Sequence, residues 1–83
     1  MGHYRKKPVV IEAIQHTGRN YEEILKFSNY AVSKNLANEI LCVDTLEGRM
    51  TADVNDWIIK GVKGEFYFCK PDIFAMTYEE IDE

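Results

Sequence analysis

Lysines at positions 60, 63 and 70 punctuate a stretch that also holds Trp57, Phe66, Tyr67 and Phe68. Cationic side chains interleaved with aromatics on paired strands can stack planar bases or hold an anionic ligand. Trp57, Lys60, Lys63, Tyr67 and Lys70 are therefore the candidate ligand- or partner-binding residues. The plainer reading is an ordinary hairpin, with Phe66 and Phe68 in the core and the lysines on its rim. The net charge of −4 and the absence of an RNA-recognition signature favour that plainer reading. Trp57, next to Ile58 and Ile59, is expected to be largely buried; on the surface it would become the leading hot spot for a partner.

No other pattern points to a reaction. His3 and His16 are the only histidines, and neither stands at a metal-ligand spacing from a cysteine. His16 reads as a loop-edge side chain. Cys42 and Cys69 lack CxxC spacing and read as small, reduced core residues; a nucleophilic thiol would need a base beside it. Glu47, Asp53, Asp56, Glu65 and Asp72 could supply an acid–base pair, but spacing singles out no two of them. Asp56 reads as a brace for the turn before Trp57, and Asp72 as a helix-start residue after Pro71. No catalytic residue, metal site or cofactor is expected.

These residues must be positioned by a small fold. At 83 residues the chain fits one domain, 1–83, with residues 1–7 as a flexible basic start. A chain this short buries only about 60–65% of its unfolded surface, so ten large aromatics must do much of the filling. The acidic balance argues against nucleic acid as the main partner. Arg5, Lys6 and Lys7 begin the chain and Glu79, Glu80, Asp82 and Glu83 end it, so the termini are expected at most to attract each other weakly. No apolar run is long enough to span a membrane, and no secretory leader is evident, so a reducing, cytoplasmic setting is expected.

Val9 to Gln15 is β-branched and alternating, which predicts a first strand opened by Pro8. Asn20, with Glu23 three residues on, predicts a capped helix over 20–29. The segment 29–38 reads as loop. The second half predicts a meander: strands 39–46, 49–54, 57–62 and 65–70, with turns at Glu47-Gly48, Asn55-Asp56 and Lys63-Gly64. Met50, Ala52 and Val54 are expected inward, and Gly61 marks a bulge or close contact. A single helical turn follows through Phe74, and 77–81 is either a short strand or fraying helix.

The opening Tyr4-Arg5-Lys6-Lys7-Pro8-Val9-Val10-Ile11-Glu12-Ala13-Ile14-Gln15 and the run from Trp57 to Tyr67 and Cys69 to Phe74 resemble a family of short bacteriophage and prophage proteins. The resemblance covers both ends, roughly half the chain. His16 stands where that family usually has Trp, Asn55 where it has Gly, and Phe68 where it has Pro. The resemblance implies a phage or prophage origin and not a reaction.

The fold expected is α+β: an N-terminal strand, one helix and an antiparallel meander, with the helix on one sheet face. The function expected is a non-enzymatic interaction module meeting a host or phage protein in the bacterial cytoplasm, without membrane contact. A small-molecule or nucleotide binder is the alternative, and a small enzyme ranks third. A homodimer through a sheet edge or face is also expected, unless 77–81 pairs with the first strand and covers its edge.

Overall fold

The computed structural model describes residues 1–4 and 9–81. The basic run Arg5–Lys7, Pro8 and the acidic Asp82 and Glu83 lie outside the described residues, and with them the expected attraction between the termini. Within the described residues the order is β1 (Glu12–Gln15), α1 (Tyr21–Phe27), β2 (Ser33–Lys34), β3 (Leu41–Thr45), β4 (Gly48–Ala52), β5 (Trp57–Lys60), β6 (Phe66–Cys69) and α2 (Pro71–Thr77). The strands form two antiparallel sheets, β1-β5-β6 and β2-β3-β4. The class is α+β.

The expected meander is broken between β4 and β5. After β4 the chain turns through Asp53–Asp56, closed by the Asp56 N–H on the Asp53 carbonyl at 3.1 Å. Val54 and Asn55 are the turn's central residues, so Val54 is 44% exposed rather than inward. Asn55 takes φ +83°, a left-handed conformation that Asn tolerates better than most residues. Its N–H donates to the His16 carbonyl (2.6 Å), and the His16 N–H donates to the Asp56 carbonyl (2.8 Å). These bonds carry the chain onto β1 instead of back along β4. The β5 register follows: Gln15 opposite Trp57, Ile14 opposite Ile58 and Glu12 opposite Lys60.

Other boundaries differ for local reasons. β1 begins at Glu12 rather than Val9. The β3–β4 turn is Leu46-Glu47, one residue earlier than expected, with Gly48 already paired to Thr45 at φ +121°. Segment 29–38 contains β2, which pairs with β3. A second helix, α2, runs two turns, where a single turn was expected. Residues 78–81 form no strand, and β1 is paired only to β5 among the described strands. The Asn20 side chain does not cap α1; its amide donates to the Gln15 carbonyl (2.7 Å) and its oxygen accepts the Thr17 N–H (3.0 Å).

The core joins both sheets to α1. Ile24 of α1 and Val32 meet Leu41, Val43 and Ala52 of one sheet and Ile58 and Phe68 of the other. Phe27 meets Phe66 edge-on, with ring centroids 5.9 Å apart. α1 ends in a Schellman closure: the Tyr30 N–H reaches the Leu25 carbonyl and the Asn29 N–H the Lys26 carbonyl, with Asn29 at φ +53° and Tyr30 at φ +65°. Ser28 anchors this corner. It is fully buried, donates to the Leu25 carbonyl (3.3 Å) and accepts the N–H of fully buried Val32 (3.2 Å). Ser28→Ala strands that N–H, and urea unfolding should show a loss of about 1–3 kcal/mol; an unchanged midpoint would remove Ser28 from this role.

Candidate functional site

Side chains alternate along a strand, so β5 splits the expected cluster between two faces. Ile58 and Lys60 share the face that carries the main core. Trp57 and Ile59 share the other, where their partners across β6 are Cys69 and Tyr67. Helix α2 lies over this second face. Pro71 opens it, and the Phe74 N–H donates to the Lys70 carbonyl at 2.8 Å. Phe74 then stacks flat on Trp57, centroids 4.0 Å apart and planes within 5°. Tyr78, one turn on, leans on Phe74 at 5.1 Å. Trp57 is thus only partly buried, covered on one side by a ring rather than by the core. Ile59 lies on this same face, fully buried and outside the main core cluster.

Tyr67 completes the aromatic layer. Burial, reinforced by the approach of the Tyr78 hydroxyl and by nearby Glu65, pushes its phenol up to about 12. The neutral phenol is the form the fold favours. Tyr67 therefore adds stability that is full below the ordinary tyrosine value of about 10 and is lost as pH rises through about 12.

Lys70 belongs to a different assembly. Its ammonium donates to Asp56 Oδ2 at 2.7 Å and stands 3.6 Å from Asp53 Oδ2. The same Asp56 oxygen accepts the Asp53 N–H at 2.9 Å. The Asp56 carboxylate is 5% exposed and the Lys70 side chain 55%, so the lysine serves a buried anion from the surface. The hydrogen bond to Asp56 raises the Lys70 ammonium above its usual value. Lys70 is a structural cation here. Lys60 sits opposite Glu12 and Phe66 on the other face. Lys63 stands exposed in the Gly61–Gly64 turn, its N–H held by Glu65 at 3.1 Å. The Glu65 carboxylate folds over Gly61 where a Cβ would stand, which is the close contact expected there. Of the five candidates, only Trp57 and Tyr67 come together.

Sequence reasoning missed Phe74 and Tyr78. Their i,i+4 spacing after Pro71-Asp72 was the available signal. It also misplaced His16, which is 2% exposed. His16 Nδ1 accepts the Gly18 N–H at 3.3 Å, and its buried Nε2 meets no partner among the described residues. Burial and the neighbouring Asp56 and Asp72 push the Cys69 thiol up, opposite to what a nucleophile needs. Cys42 and Cys69 are both free thiols. Among the described residues, no group of three or more acidic, His or Cys side chains could hold a metal ion.

Depressions in the surface include a cleft beside α1 and a groove between the sheets. A cleft of about 430 Å³ opens at Gly18–Glu23 and Lys34, where Lys34 lies over the Tyr21 ring at 4.8 Å. A groove of about 200 Å³ lies between Met50-Thr51 of β4 and Phe68-Cys69 of β6, closed by Asp56 and Lys70. No helix among the described residues is long and apolar enough to cross a membrane. Comparison with family models, curated proteins and solved structures finds no match.

Two measurements check this geometry. A double-mutant cycle with Trp57→Ala and Phe74→Ala should give a coupling of about 0.5–1.5 kcal/mol, as stacked rings do; additive losses would mean that the rings do not support each other. Alkaline absorbance titration should show a phenol ionising near pH 12 that Tyr67→Phe abolishes. A curve unchanged by that substitution would contradict the burial of Tyr67.

Proposed function

We propose that this chain is a non-enzymatic protein-interaction module. It is of the phage or prophage accessory kind that its end segments resemble, and it acts in the cytoplasm of a bacterial host. The observation that carries this reading is the outer face of α2. The helix has no buried residue and packs inward through Phe74 and Tyr78. Ile73 and Met76, one turn apart, are left 53% and 88% exposed. Solvent-facing apolar side chains on a helix are what a partner covers, and the flexible Met side chain adapts to such contacts. A homodimer through a sheet edge belongs to the same reading.

The polar groups support it from the other direction. Lys70, Asp53 and Asp56 satisfy one another, and the Cys69 thiol is held in its protonated form. A small-molecule or nucleotide ligand is the alternative, and the cleft at the start of α1 is where it would sit. There Arg19 and Lys34 are balanced by Glu22 and Glu23, which works against an anionic ligand. A small enzyme is the third reading.

The test compares the tagged wild-type chain with an I73E/M76E variant in capture from bacterial lysate. A protein recovered by wild type and lost by the variant is expected, with circular dichroism unchanged because both positions are exposed. Identical recovery by both would overturn the α2 surface. A metabolite retained in native mass spectra, with no captured protein, would favour the alternative.

A further inference from the structure

Among the described residues the two sheets have four outer edges, those of β1, β6, β2 and β4. The β4 and β6 edges face each other across the 200 Å³ groove. β2 is two residues long. The fourth edge belongs to β1. His16 directs both its N–H and its carbonyl toward the start of β5. Backbone groups alternate sides along an antiparallel strand, so Ile14 and Glu12 also face β5, while Gln15 and Ala13 face outward. The Gln15 carbonyl is taken by the Asn20 amide at 2.7 Å, which closes the far half of the edge. Among the described residues, nothing pairs with the outer side of Ala13 and the segment leading into it. In that segment Val9 is 48% and Val10 72% exposed.

We propose that residues 9–13 pair antiparallel with the same residues of a second copy, about a two-fold axis at Ile11. This deepens the interaction reading and rests on it, through a surface separate from α2. The occupant follows from the edge itself. An antiparallel edge is its own complement, because a two-fold axis sets each outward N–H against a carbonyl of the copy. Glu12 is the only charged residue from 9 to 15. An axis at Glu12 would oppose two carboxylates, whereas an axis at Ile11 sets Glu12 against the exposed Val10 of the copy. It also sets Val9 against Ala13, covers both valines and joins the two β1-β5-β6 sheets into one of six strands. A small domain with a limited core gains from such burial.

Sedimentation equilibrium of the full chain at micromolar concentration should give twice the 9.7 kDa chain mass. A mass of one chain throughout would overturn the proposal, and a partner still captured through α2 would leave the interaction reading standing. The register is tested at Val10, whose exposure spares the fold. V10E places like charges opposite each other twice and should weaken the dimer roughly tenfold. V10K places a cation opposite Glu12 and should keep or tighten it. Equal effects of the two substitutions, or dissociation by I73E/M76E instead, would place the contact elsewhere.

Discussion

The buried carboxylate of Asp56 is the constraint from which the arrangement of the chain follows. An ionised group out of water is costly unless charge and hydrogen bonds meet it. Here the Asp53 N–H and the Lys70 ammonium meet it on one oxygen, and the residue's own carbonyl accepts from His16. One residue thereby ties the end of β4, the start of β5, the end of β1 and the residue before α2. Moving any of these segments would leave the charge uncompensated. The change from one sheet to the other between Ala52 and Trp57 is fixed by this polar knot more than by strand propensity.

Around that knot the apolar layers are thin. The strands run two to five residues and each helix seven, lengths that are marginal on their own. Stability comes from sharing one core among both sheets and α1, with Leu41, Val43 and Ala52 in the same cluster as Ile58, Phe68 and Ile24 of α1. The second face of β1-β5-β6 is finished differently, by rings. Trp57 and Tyr67 lie on this face, Phe74 stacks on Trp57 and Tyr78 leans on Phe74, broad flat surfaces with which few residues suffice.

The strands were legible because alternation and turn chemistry agree: Leu41 to Thr45, Trp57 to Lys60 and Phe66 to Cys69 all read correctly as strands. Their partners were not. Hairpin-like spacing between Ala52 and Trp57 suggests pairing of β4 with β5, and only the hydrogen bonds to His16 redirect β5 onto β1. Lys70 looked like a binding cation because its two aspartates lie 14 and 17 positions back in sequence, a tertiary contact that spacing cannot reveal. His16 looked peripheral because it follows a strand and precedes Thr17-Gly18, yet the return of Asn55 and Asp56 encloses it. α2 was cut short because Ala75, Met76 and Thr77 have no inward partner. A periodicity search registers apolar residues, and here the apolar positions fall on both sides of the helix.

The light attachment of α2 has a consequence for how the molecule breathes. A segment with no buried residue, tied by two aromatic side chains and a short hydrogen-bonded start, opens with a smaller free energy than the strands beneath it. Its amides should exchange with solvent through excursions in which the rest of the fold stays closed. Each excursion uncovers the face of Trp57 for a moment. A lightly held segment therefore lies against the aromatic layer, and its opening is the event that would bring that layer into contact with water.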